Sequence, residues 1–141
     1  TKPSTGSTGG GSYSTVKKVE KKATAVAGAW AQDANGWWYR YADGTWPAAK
    51  WVELDWNGEK TWYYFNPNGY MHSGWLLDGG NWYFLHNVAD GTQGYMYTGW
   101  KQIDGKWYYF NPLAGGPMGS LLVNTVTPDG YTVDANGVWV Q

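Results

Sequence analysis

Trp30, Trp51, Trp75 and Trp100 recur along this chain, and each is followed by a Trp-Tyr pair that begins at Trp38, Trp62, Trp82 and Trp107. Twelve Trp and twelve Tyr stand against only three Phe, so the aromatic content favours rings that keep a polar tip for water over rings suited to simple burial. Such rings bind rather than react. Three of them around a Met floor make a box whose walls are the negative faces of π systems, and a box of that kind holds a quaternary ammonium group by roughly 0.5–2 kcal/mol per ring. A fully methylated nitrogen has no proton to donate, which fits a pattern with no carboxylate at a fixed place in the repeat.

Reactive chemistry finds little support. His72 and His86 are the only histidines and lie beside no repeated Asp, Glu or Ser, so they read as surface residues rather than bases or metal ligands. The absence of Cys removes thiol nucleophiles, thiolate metal sites and disulfides. Ten basic and eleven acidic residues leave a net charge of −1, which gives no field for gathering nucleic acid or an acidic membrane surface. With no long apolar run, membrane insertion is not expected either. The chain reads as a non-enzyme with no cofactor.

The rings must be positioned by hairpins. In Thr98 to Phe110, Asp104-Gly105 separates two aromatic runs, the signature of a two-residue type I′ turn. That turn sets Ile103 opposite Lys106, Gln102 opposite Trp107, Lys101 opposite Tyr108 and Trp100 opposite Tyr109. Trp100, Gln102, Trp107 and Tyr109 then share one face, with Lys101, Ile103, Tyr108 and Phe110 on the other. A single hairpin cannot bury both faces. Copies follow at a period in the low twenties, the mark of a solenoid in which each unit covers its neighbour. Tyr39, Tyr41, Phe65, Ile103 and Phe110 are the expected core.

Stacking the Trp face of one hairpin on the opposite face of the next predicts three boxes: Trp30, Trp38 and Tyr63; Trp51, Trp62 and Tyr83; and Trp75, Trp82 and Tyr108. Gly-x-Met sequences at Gly69, Gly94 and Gly116 close three units, and Met96 and Met118 are expected as floors. Trp100 and Trp107 begin a fourth box whose third ring can come only from Tyr131, predicting a weaker site. Asn35-Gly36 is expected to turn the first hairpin with a bulge or longer loop, and the sequence leaves open whether Trp37 or Trp38 joins Trp30 on one face. The second hairpin reads as having a widened turn, Asp55 to Lys60, and the third as carrying an insertion at Val88 to Thr92. Trp46 reads as a lid closing the first end of the array.

Three segments result. Residues 1–27 are a Thr/Ser/Gly linker and a Lys-rich spacer, residues 28–120 the repeats, and residues 121–141 a capping hairpin whose leftover apolar side chains offer a surface for a homodimer.

The pattern of Gly-Trp, then Gly-x-Trp-Tyr-Tyr-Phe, then Gly-x-Met resembles the cell-wall-binding repeat of the choline-binding proteins of Gram-positive bacteria and their phages, over residues 28 to about 120. Related frames occur in glucan-binding repeats and in clostridial toxin repeats, so a glucan or other carbohydrate module is the alternative. The resemblance implies an all-β, short left-handed β-solenoid of stacked β-hairpins. It also implies choline or phosphocholine of teichoic acids as the partner, bound between successive hairpins, with the protein secreted and attached to the Gram-positive cell wall to anchor an upstream domain.

Overall fold

The computed structural model describes residues 28–56, 58–113 and 117–141. The expectations for residues 1–27 lie outside them. Strands β1 (Gly28–Asp33) and β2 (Gly36–Tyr41), β3 (Lys50–Trp56) and β4 (Glu59–Phe65), β5 (Gly74–Asp78) and β6 (Asn81–Leu85), and β7 (Gly99–Ile103) and β8 (Lys106–Phe110) form four two-stranded hairpins. A smaller pair, β9 (Thr125–Val126) and β10 (Thr132–Val133), follows. The described residues contain no helix; the fold is all-β, a β-solenoid of stacked antiparallel hairpins.

The register of β7 and β8 runs from Gly99 opposite Phe110 to Ile103 opposite Lys106, with Trp100 opposite Tyr109 and Gln102 opposite Trp107. Asp104 and Gly105 sit at φ 52° and 81°, the two positive values that a type I′ turn requires. The first hairpin departs from expectation by being regular. Its turn is Ala34-Asn35, with Asp33 opposite Gly36 and an unbroken ladder back to Gly28 opposite Tyr41. Asp33 Oδ1 accepts the Asn35 N–H at 2.8 Å, which fixes the turn one residue earlier than Asn35-Gly36. No bulge is needed.

The second hairpin also differs from its expected form. Asp55 pairs with Lys60 and Trp56 with Glu59, so the residues expected in a wide turn extend both strands instead. Side-chain alternation then places Val52, Leu54 and Trp56 on the face of Tyr63 and Phe65.

Two compact units share these elements: among the described residues, one holds everything up to Gly74 together with Leu85–Met96, the other Trp75–Phe84 together with Tyr97–Gln141. In the first unit, buried Tyr39, Val52, Leu54, Tyr63 and Phe65 form the core, with Trp30, Tyr41, Trp56, Met71 and Tyr95 packed on it. Met71 N–H donates to the Trp37 carbonyl at 2.7 Å, and Met96 N–H to the Trp62 carbonyl at 3.1 Å. In the second unit Tyr108 and Phe110 are fully buried and Ile103 is buried. There Leu121 N–H donates to the Trp82 carbonyl at 2.8 Å, and Trp139 N–H to the Trp107 carbonyl at 2.9 Å. Each unit therefore repeats one device: the residue closing a repeat hydrogen-bonds to the second Trp of the preceding hairpin.

That device sets who closes each repeat. Met71 bridges Phe65 and Met96 bridges Leu85, while Leu121 bridges Phe110. The closing residue after the fourth hairpin is thus Leu121 and not Met118, because Met118 and Gly119 form the turn before it, with the Ser120 N–H donating to the Pro117 carbonyl at 3.2 Å.

A glycine before each closing residue lets the chains approach. Gly94 has φ 102°, and a Cβ there would collide with the Met71 sulfur, whereas Gly99, at φ 75°, has open space around it. Gly94→Ala is therefore expected to lower stability by about 1–3 kcal/mol through overpacking and backbone strain together. Gly99→Ala should cost only the backbone part, roughly 1 kcal/mol. Paired thermal melts check this, and equal losses for the two variants would remove the packing role of Gly94.

Candidate functional site

The second unit carries a four-ring aromatic box. Trp100 and Trp107 share a face of the β7–β8 hairpin, and the tail brings Tyr131 and Trp139 against them around a cavity of 380 Å³ that Asp129 also lines. Ring centroids lie 6.0 Å apart for Trp100 and Tyr131, 6.4 Å for Trp100 and Trp139, and 5.9 Å for Tyr131 and Trp139, all near perpendicular. Perpendicular walls turn several π faces toward one space, as a cation-binding box requires. Trp107 is 38% exposed and Tyr131 48%, so the box opens to solvent.

Two tight turns build it. Thr127 N–H donates to the Tyr131 carbonyl at 2.7 Å, Gly130 N–H donates to the Thr127 carbonyl at 2.9 Å, and Gly130 takes φ 93°. Asp134 N–H likewise donates to the Val138 carbonyl and Gly137 N–H to the Asp134 carbonyl, after which Trp139 is held under Trp107. Asp129 accepts hydrogen bonds from Thr127 Oγ1 and from the Trp100 indole N–H at 3.0 Å. The Thr127 hydroxyl first, then the Trp100 indole, keep its carboxyl below the usual carboxylate range, so a fixed negative charge stands at the mouth of the box.

The tail therefore supplies two rings and a carboxylate, where the sequence offered Tyr131 alone. The signal for Trp139 lay in Gly137-Val138-Trp139, which repeats the spacing of Gly69-Tyr70-Met71 and Gly94-Tyr95-Met96.

A second box in the same unit joins Trp75, Trp82 and Tyr108 as the stacking rule expects. Trp75 lies 6.3 Å from Trp82 at 84° and 5.1 Å from Tyr108 at 72°, with Phe84 at 5.0 Å and Phe110 at 6.0 Å behind it.

In the other unit the same geometry recurs around Trp30, with a change of partner. Trp30 lies 6.4 Å from Trp37 at 84° and 4.9 Å from Tyr63 at 69°, with Tyr39 at 5.4 Å and Phe65 at 5.9 Å. Trp37, opposite Gln32, shares the face of Trp30 and Tyr39. Trp38 points the other way and packs on Trp46 at 5.5 Å, beside a 130 Å³ cavity bounded by Asp33 and Tyr70. The spacing could have shown it: Trp37 follows Trp30 by the same seven residues that separate Trp75 from Trp82 and Trp100 from Trp107. Trp56 is a further ring that the repeat frame does not contain, 5.0 Å from Trp30 and 4.9 Å from Trp37. Burial first, then Asp55, pushes the Tyr63 phenol up to about 12.

The remaining expected triple is divided between the units. Trp51 and Trp62 are both buried in the first unit, with Trp51 5.3 Å from Tyr64 and Met96 hydrogen-bonded beneath Trp62; Tyr83 belongs to the second. Of the histidines, His72 meets Asn66 and His86 meets Asp90, each at 3.0 Å.

Known proteins share the repeat sequence and the fold. The family described as choline-binding repeat matches residues 56–92, and that described as cell wall binding repeat matches residues 98–112. A lysin of Pneumococcus phage Dp-1 is 43% identical over 42 residues, 30% of this chain and 14% of the lysin. Among solved structures, CbpF of Streptococcus pneumoniae in complex with ipratropium is 39% identical, covering 82% of this chain and 32% of its own, with a TM-score of 0.64. The multimodular pneumococcal cell wall endolysin from phage Cp-1, complexed with choline, is 35% identical, covering 73% of this chain and 27% of its own, with a TM-score of 0.55. The chain thus spans a third or less of the length of each of these relatives.

The carboxylate of Asp129 makes the tail box pH-dependent in one direction. Its folded value lies below the ordinary 3.8, so its contribution is fully present above about pH 4 and is lost only as pH falls through the lower folded value. Tetramethylammonium titration of the Trp100 indole N–H resonance should give constant affinity from neutral pH to about pH 4. Asp129→Asn should weaken it about two- to fivefold, as expected for an exposed charge. An unchanged affinity in that variant would take the carboxylate out of the site.

Proposed function

We propose a function from the premise that this chain belongs to the choline-binding protein family: it is a non-catalytic wall-binding module. Its aromatic boxes hold choline or phosphocholine of cell-wall teichoic acid and so anchor an attached upstream domain outside the cell, on a Gram-positive wall. The observation that carries this reading is the four-ring box of Trp100, Trp107, Tyr131 and Trp139 with ionised Asp129 at its edge. A trimethylammonium group fits it in charge, in shape and in having no N–H to satisfy. The box of Trp75, Trp82 and Tyr108 and the related cluster of Trp30, Trp37 and Tyr63 extend the reading along the chain.

Affinity at one such site is modest, because a small cation makes few contacts. Several sites on one polymer raise it through effective concentration, and a repetitive wall polymer offers that arrangement. An array of weak boxes is therefore a functional design, and it needs no deep pocket.

The chain should be retained on a quaternary-amine resin and released by choline chloride at concentrations where sodium chloride of equal ionic strength fails. Release by both salts alike would mean ion exchange and remove the cation–π reading. The homodimer through the tail rests on Val126 and Val140, which stay exposed beside buried Val133. A chain ending at Ser120 should lose thermal stability and the tail box, and sediment as a monomer where the full chain is dimeric. Unchanged melting and sedimentation would make the tail a dispensable extension.

A further inference from the structure

The two largest departures from the repeat frame meet in the unit that contains Leu85–Met96. The lengthened β3–β4 hairpin carries Trp56 beyond the usual turn position, and the insertion after β6 folds back over it. The Trp56 indole N–H donates to the Gly91 carbonyl at 2.6 Å. Together with the first hairpin they enclose a cleft of 220 Å³ lined by Gln32, Trp37, Trp56, Ala89, Gly91 and Gln93. We propose that this cleft is a binding site for a neutral saccharide, distinct in ligand class from the cation boxes.

The lining decides the class. Among the described residues that line the cleft there is no Asp, Glu, Lys or Arg, so neither an ammonium nor a phosphate gains an ion pair from them. Trp37 and Trp56 stand 4.9 Å apart at 85°, presenting one indole face and one indole edge. Gln32 lies directly opposite Trp37 in the ladder and therefore on the same face. Its amide and that of Gln93 each carry two donors and an acceptor beside these rings. A purely hydrocarbon ligand would strip water from both amides without replacing it, which is unfavourable. A sugar ring satisfies both demands, with its C–H face on indole and its hydroxyls on the amides.

The site is also preformed. Asp90 holds the insertion closed through His86 at 3.0 Å and through the Thr92 N–H and hydroxyl at 3.0 and 2.7 Å. The indole hydrogen bond to Gly91 fixes the Trp56 ring. Little ordering is left for the ligand to impose. The cleft shares Trp37 with the Trp30 cluster, but Trp56, Ala89, Gly91 and Gln93 come from outside the repeating frame, so the site does not repeat a cation box.

The test uses the full chain in saturating choline, titrated with chitotetraose and with isomaltotetraose by calorimetry and saturation-transfer NMR. At least one of these probes should bind without displacing choline, and the arm that binds distinguishes an amino-sugar glycan from a plain glucan. The double variant Gln32→Ala, Gln93→Ala should bind it at least about tenfold more weakly, as two lost hydrogen bonds imply. Its unchanged retention on choline resin shows that it folds. The proposal is overturned if neither tetrasaccharide binds, if choline competes the saccharide off, or if the double variant binds as tightly as the parent chain.

Discussion

A single backbone hydrogen bond organises each unit: the N–H of a repeat's closing residue meets the carbonyl of the second Trp in the preceding hairpin. Met71 reaches Trp37, Met96 reaches Trp62, Leu121 reaches Trp82 and Trp139 reaches Trp107. An isolated hairpin leaves the outer edge of its second strand unpaired and both aromatic faces wet. The closing residue satisfies that edge and inserts its own side chain beneath the rings. Edge pairing and aromatic burial are thus supplied by the same few residues, which is why short hairpins with no disulfide and little aliphatic core can stack at all.

The same bond explains the composition of the tail. Within the second unit the box around Trp75 takes its third ring from Tyr108 of the following hairpin. Among the described residues no comparable aromatic hairpin follows β8; the turn residue Tyr131 and the closing residue Trp139 stand in its place. A Met or Leu suffices to close a repeat when another hairpin brings a ring. After β8 the closing position is itself aromatic, and its ring completes the box around Trp100. The carboxylate of Asp129, tied to the Trp100 indole, adds charge where an extra hairpin would otherwise have added surface.

Much of this was legible from the residues. Asp104-Gly105 between aromatic runs specified a hairpin and its register, and the repeated Trp spacing specified stacking. The stacking rule also brought together Trp75, Trp82 and Tyr108. Reading failed where a dipeptide was followed in place of a spacing. Trp38-Tyr39 imitates Trp82-Tyr83, yet the Asp33 carboxylate sets the turn at Ala34-Asn35, and the register then puts Trp37 on the face of Trp30. Met118 imitates Met71 and Met96, yet Met118 and Gly119 make the turn and leave Leu121 to close. Asp129 carries no repeat signal, because its role arises from contact with a residue 29 positions away.

The irregular parts of the array obey the regular part's logic. Lengthening both strands of the second hairpin by a residue pair preserves alternation, so Trp56 must fall on the face of Tyr63 and point toward the Trp30 cluster. A ring placed there has an indole N–H to satisfy, and the Gly91 carbonyl from the insertion after β6 accepts it. Without the insertion that N–H would have no such partner, and without Trp56 the insertion would lose its indole hydrogen bond. The two deviations are therefore one structural unit, and a solenoid acquires a new surface where neighbouring loops lengthen to meet each other while the hydrogen-bonded frame beneath them stays fixed.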